Sequence, residues 1–189
     1  MNNKTTIILS LALLLATSCK EKQEEKDIIV PTPEEQTEKK ETLEMKETRQ
    51  NYTETWNGKK YTISIVRSPD HSLPLTYDEM QNEYYDNIIT VRIQREDGSD
   101  LLNKTYRKSD FKDYTSGSGM EKTGALLGIV YDAIEGNNLS FAASVGSPDP
   151  NSDEYIPLRL TVSPSGSVKI SLDTKMDVTG DDILDDEGV

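Results

Sequence analysis

The chain has 189 residues, a formal net charge of −13 and a single cysteine. So acidic a chain lacks the basic footprint of a nucleic-acid-binding protein, and one cysteine forms neither an internal disulfide nor a thiolate metal site. The acidity is uneven: residues 51–172 carry 12 basic and 17 acidic side chains, whereas residues 173–189 carry 1 and 7.

Residues 1–18 read as a signal peptide. Lys4 precedes an apolar run from Thr5 to Ala16, and the small residues Ala16-Thr17-Ser18 lead directly into Cys19. This is the three-part form of a secretory leader, and its apolar run is shorter than the roughly 20 residues a spanning helix needs. Ala16-Thr17-Ser18-Cys19 resembles the lipobox of bacterial lipoproteins. That resemblance implies cleavage after Ser18 and acylation of Cys19, which gives the stable anchoring that two or more acyl chains supply. Residues 19–50 follow as the lipidated cysteine and a disordered tether. Glu, Lys, Thr, Gln and Pro dominate it, and such a composition buries too little apolar surface to offset its ordering entropy. The charged stretch Lys20-Glu21-Lys22-Gln23-Glu24-Glu25 resembles the export tag of surface-displayed Bacteroidetes lipoproteins.

From residue 51 to 173 the pattern has period two, the signature of half-buried strands. Asn57-Gly58 lies between YTETW and KKYTISIV and predicts a hairpin, because both residues tolerate positive φ. IITVRIQR, residues 88–95, turns at Asp97-Gly98 into LLNKTYR. ALLGIVYDAI, residues 125–134, turns at Gly136-Asn137-Asn138 into LSFAASV. IPLRLTV, residues 156–162, turns at Pro164-Ser165-Gly166 into VKISL. These elements predict an all-β domain: an antiparallel meander of about eight strands, closed as a barrel or folded as a sandwich. Pro157 places its strand at an edge or a strand start. Thr76 with Glu79 forms a T-x-x-E capping box and predicts a short helix with Met80 and Tyr84 on one face. A second short turn is expected over Ser109–Tyr114. Residues 174–189 form an acidic tail.

The search for chemistry yields few candidates. His71 is the only histidine. Asp70-His71-Ser72 has the residue types of a triad, but three consecutive residues do not aim their functional groups at one another. Asp149, Asp153 and Glu154 have the ligand type calcium takes but match no loop template, and the tail acids Asp177, Asp181, Asp182, Asp185 and Asp186 miss the EF-hand spacing. Gly119-Met120-Glu121-Lys122-Thr123 lacks the glycines of a phosphate loop. Trp56 and the pair Tyr84-Tyr85 have the amphipathic faces that suit a sugar platform. Carboxylate catalysis would need two carboxyl groups in one cleft, and Asp86, Asp132 and Glu135 are the ones to watch.

The leader ending in Ser-Cys, the charged tether, KTYRKSDF, GSPD with its acidic loop and the terminal DDEGV together are similar to small Bacteroidetes lipoproteins that carry a domain of unknown function. The resemblance implies localisation and size, and no activity. The sequence therefore reads as an outer-membrane envelope lipoprotein, periplasmic or surface-exposed, anchored through Cys19. Its β domain is expected to be a non-catalytic module for an envelope protein or glycan, without cofactor, metal or nucleic acid. The alternative is a carboxylate-dependent hydrolase acting on glycan or peptide.

Overall fold

A computed structural model describes residues 41–174. Cys19, the charged stretch after it and the acids of the tail from Asp177 onward lie outside the described residues. Eight long strands carry the fold: β1 (Thr48–Trp56), β2 (Lys59–Pro69), β5 (Asn87–Arg95), β6 (Asp100–Tyr106), β7 (Ala125–Glu135), β8 (Asn138–Gly146), β9 (Tyr155–Val162) and β10 (Val168–Leu172). Two strands of two residues each, β3 (Thr76–Tyr77) and β4 (Glu83–Tyr84), form a small separate hairpin. A 3₁₀ turn at Lys108–Phe111 runs into the short helix α1 (Lys112–Thr115), where the second turn was expected.

The long strands pair antiparallel in two sheets of order β1-β2-β5-β6 and β10-β9-β8-β7. Each sheet is a meander with two free edges, so the fold is a sandwich and not a closed barrel. Period-two alternation fills the space between the sheets. Tyr61, Ile63 and Ile65 of β2 and Ile89, Val91 and Ile93 of β5 face Phe141, Val145, Leu158 and Leu160 of the other sheet in one buried cluster. β7 lies over β1, where the rings of Tyr52 and Tyr131 are 5.2 Å apart. The turn after β9 reaches β6, where a Cβ on Gly166 would meet the Leu101 carbonyl at 2.7 Å. Pro157 is the third residue of β9. Its missing N–H falls just past the end of β10, where only its carbonyl is used, accepting from Asp173 N–H at 3.0 Å.

Two expectations are corrected. The helix predicted from Thr76 is the β3–β4 hairpin. Thr76 is a fully buried strand residue and not a cap. Asp78 captures the local donors instead: its Oδ1 accepts from Met80 N–H at 2.9 Å and Asn82 N–H at 2.8 Å, and its Oδ2 from Asn82 Nδ2 at 2.7 Å. An Asx turn of this kind competes directly with helix formation, and Met80, meant for the apolar face, is 67% exposed. The tether expected over residues 19–50 ends earlier, because β1 begins at Thr48. Leu43 already bridges to Tyr84, donating to Glu83 O at 2.8 Å and accepting from Tyr85 N–H at 2.9 Å.

The two ends of the sandwich differ. At one end the strands join through residues 57–58, 96–99, 136–137 and 163–167, short turns of the kind antiparallel neighbours need. Asn57 (φ 52°) and Gly58 (φ 72°) are both left-handed there, as their hairpin requires. At the other end the connections are residues 70–86, 107–124 and 147–154. β2 and β5 are hydrogen-bonded neighbours, so a tight turn would connect them. The chain spends 17 residues there instead. The segment entering β1 and the segment leaving β10 are at this same loop end.

Candidate functional site

The loop end is where the fold departs from economy, and long loops on a rigid scaffold are where binding residues concentrate. It holds two clefts, each within the usual size range of ligand sites.

The first has a volume of about 420 Å³, between Glu44–Lys46, Arg67, Tyr84, Leu127 and the loop Ser147–Ser152. Arg67 continues the inward series Tyr61, Ile63, Ile65 by one more step, so it enters the mouth of the sandwich where a further apolar residue would have closed it. Its Nη1 donates to Leu127 O across the sheets at 2.5 Å and its Nη2 to Lys46 O at 3.0 Å. Burial holds the guanidinium below its ordinary value. Asn87 plays the matching part on β5, donating from Nδ2 to Leu126 O at 2.9 Å. Arg67 Nε and Asn87 Oδ1 are buried and make no hydrogen bond among the described residues.

The second cleft, about 500 Å³, lies between residues 73–74 of the β2–β5 connection and residues 107–122 of the β6–β7 connection. Arg107, Lys108, Lys112 and Lys122 line it, with Asp86 and Glu121. Phe111 and Thr115 anchor the outer segment, both buried to 1% exposure or less. Asp86 sits at the base with its side chain 5% exposed, 3.7 Å from Lys108 Nζ. Its Oδ1 accepts from Asn87 N–H at 2.7 Å and Leu126 N–H at 2.9 Å, pinning the start of β5 to the start of β7. Burial pushes the Asp86 carboxyl up, against the pull of the Leu126 N–H and the Lys108 charge. Burial pushes Lys108 down, against the pull of Asp86. Lys108 Nζ is held from the other side by Gly124 O.

The residues singled out in the sequence scatter. Asp70 accepts from the N–H and hydroxyl of Ser72 at 2.9 and 2.6 Å. His71 turns away, with its ring stacked on Tyr85 at 3.9 Å and Nε2 3.0 Å from Glu44, so the three form no relay. Asp149 closes its own loop by accepting from Asn151 N–H at 2.9 Å. Among the described residues no group of three His, Cys, Asp or Glu side chains is placed to hold a metal ion. Trp56 is 1% exposed and packs on Tyr61 at 5.1 Å, so it is a core residue and not a platform. Tyr84 is buried, with its hydroxyl 3.4 Å from Asp78. Asp132 and Glu135 do come together, but on the open outer face of the second sheet. Arg159 Nη1 reaches them at 2.9 and 3.3 Å, and its Nη2 reaches Asp173 at 2.7 Å. Asp86 is elsewhere, at the loop end.

Sequence reasoning missed Arg67 and Lys108. Arg67 carried a signal, since the alternation of β2 puts it on the inward face. Lys108 carried none, because its meeting with Asp86 depends on how two long connections fold over one another.

The model of a domain of unknown function, DUF4738, matches residues 28–170, which takes in both clefts and both sheets up to the last two residues of β10. No curated protein matches the chain closely enough to mark a relative.

Proposed function

The chain belongs to the DUF4738 family, and from that premise, which brings no activity with it, we propose that it is an envelope lipoprotein whose loop end binds a partner. The leader supports export, and the position of Cys19 directly after Ala16-Thr17-Ser18 supports acylation there and anchoring at the outer membrane. The β domain serves as a non-catalytic module for an envelope protein or glycan.

The observation that carries the reading is the asymmetry of the sandwich. Four tight turns close one end, with a shallower hollow of about 440 Å³ beside Lys59 and Arg95, while the three long connections, with the two clefts described above, gather at the other. Loop length beyond what connectivity requires is a mark of binding function. Binding is favoured over carboxylate hydrolysis by how the candidate acids are held. Asp132 and Glu135 are engaged by Arg159 on an open face, and Asp86 is tied to two backbone N–H groups.

Two measurements test it. Palmitate labelling is expected in the wild-type chain and lost in Cys19→Ala; labelling that persists in the variant refutes the anchor. A photo-crosslinking residue at Ser152 in the loop end is expected to capture an envelope partner, and one at Lys59 beside the tight turns is not. Equal capture at both positions refutes the assignment of the loop end.

A further inference from the structure

We propose that the cleft lined by Arg107, Lys108, Lys112 and Lys122 binds a phosphate monoester. The inference deepens the loop-end reading and rests on it for the choice of surface.

The first ground is charge. The chain is strongly acidic, yet four of the 12 basic residues between positions 51 and 172 line this one cleft. Against them stand Asp86, which is paired with Lys108, and Glu121. Arg107, Lys112 and Lys122 make no salt bridge to any described residue. Asp70 lies close enough to feel Arg107, but its carboxylate is hydrogen-bonded to Ser72. The side chains of the lining sum to about two net positive charges, and a phosphate monoester at neutral pH carries about −1.5 to −2. A carboxylate would leave half of that charge unmatched.

The second ground is preorganisation. Lys108 is 17% exposed and is fixed between Asp86 and the Gly124 carbonyl, so its ammonium needs no reordering to meet an anion, and donors held in place bind at lower entropic cost. The third ground is shape. The volume of about 500 Å³ exceeds what a phosphoryl group fills, and Leu73 and Pro74 supply an apolar wall for the body of an ester. The ligand class is thus a phosphoryl group on a larger carrier, whether a lipid headgroup or a soluble sugar phosphate.

The test is calorimetric titration of the full chain, purified in detergent, with phenyl phosphate and with benzoate. Phenyl phosphate is expected to bind at least about tenfold more tightly. Lys112→Ala and Lys122→Ala, both at exposed positions, are each expected to weaken it about tenfold, the size of one charge-assisted hydrogen bond. Lys59→Ala at the far end is expected to leave it unchanged, and Trp56 fluorescence reports that each variant is folded. Dihexanoyl phosphatidic acid and glucose phosphate then separate the two sources, since each presents the same monoester on a different body. The proposal is overturned by absent binding of phenyl phosphate, by equal affinity for benzoate, or by unchanged affinity in both lysine variants. Acylation of Cys19 is indifferent to all of these outcomes, so failure of the cleft and failure of the envelope reading are told apart.

Discussion

Replacing Lys108 by Met removes one half of the ion pair at the base of the cationic cleft and leaves Asp86 at 5% side-chain exposure. At 3.7 Å the pair attracts by about 4 kcal/mol if the effective dielectric constant is about 20. Burial nevertheless pushes both partners toward their neutral forms, so desolvation cancels most of that gain and the intact pair is nearly neutral for stability. Breaking such a pair typically costs about 3–5 kcal/mol, because the survivor is left charged and dry. Asp86 keeps two backbone donors, which places Lys108→Met near the lower end, about 3 kcal/mol at pH 7. Asp86→Asn strands Lys108 and is expected to cost a similar amount. Together the two changes leave no buried charge, and the double variant is expected within about 1 kcal/mol of wild type.

The sign of the pH dependence follows from the Asp86 shift. Its folded value is raised above the ordinary 3.8, so the folded chain takes up the proton first as pH falls. The stability tied to its neutral form is fully present below 3.8 and lost as pH rises through the folded value. The deficit of Lys108→Met is therefore largest at neutral pH and shrinks on acidification toward that window. Urea denaturation followed by the buried Trp56 at pH 7 and pH 5 measures it. A deficit below about 1 kcal/mol that is the same at both pH values, or a double variant equal to the sum of the singles, would refute the reasoning.

Gly146→Ala places a Cβ 2.3 Å from Glu154 O and 2.5 Å from Tyr155 Cβ; a loss of about 2–3 kcal/mol is expected, with amide shift changes confined to residues 146–155. Arg159→Met takes the guanidinium from Asp173, whose side chain is 3% exposed, and a loss of about 2 kcal/mol is expected by chemical denaturation. That is less than a fully broken buried pair, since Asp132 and Glu135 are partly solvated. Asp78→Ala removes the acceptor of the β3–β4 turn and is expected to abolish amide exchange protection at Met80 and Asn82 while leaving β5 protected. Burial raises the Asp78 carboxyl, but the hydrogen bonds from Asn82, Met80 and Tyr84 outweigh it and hold it below 3.8. That contribution is present above 3.8 and lost as pH falls through the folded value, so the same protection in the wild-type chain should fade in strong acid.

The strands were legible because each writes its burial locally. Ile89, Val91 and Ile93 alternate with polar partners in the sequence and are all 2% exposed or less in the fold. Asn57-Gly58 and Asp97-Gly98 needed no distant information either. The helix at Thr76 failed because two local motifs share those residues, and the Asp78 carboxylate outcompeted the capping box. Sheet closure was not legible at all: whether the edges β1 and β7, and β6 and β10, pair or only pack is decided over the whole domain. The site divides in the same way. Arg67 lies on a face that the alternation of β2 defines. The Asp86–Lys108 pair joins two irregular connections that no periodicity relates. Asp132 and Glu135 stand out as acids, but their partner Arg159 is two strands away, on β9 across β8, and gave no hint of itself.

The entry to β1 and the exit from β10 at one end of the sandwich also set how the domain bears load. Tension applied between residues 41 and 174 acts across the strands and not along them. β1 is an edge strand held by its ladder to β2 from Thr48 to Trp56, and a pull on its first residue opens that ladder one rung at a time. β10, with only five residues paired to β9, opens the same way from Leu172. This is an unzipping geometry, in which each hydrogen bond is loaded singly, in contrast to a shear geometry that loads all of them together. In an optical trap the domain should yield at low force, with β1 and β10 peeling before the four central strands. A chain held by its N-terminal segment would thus shed an edge strand under strain long before it denatured in solution.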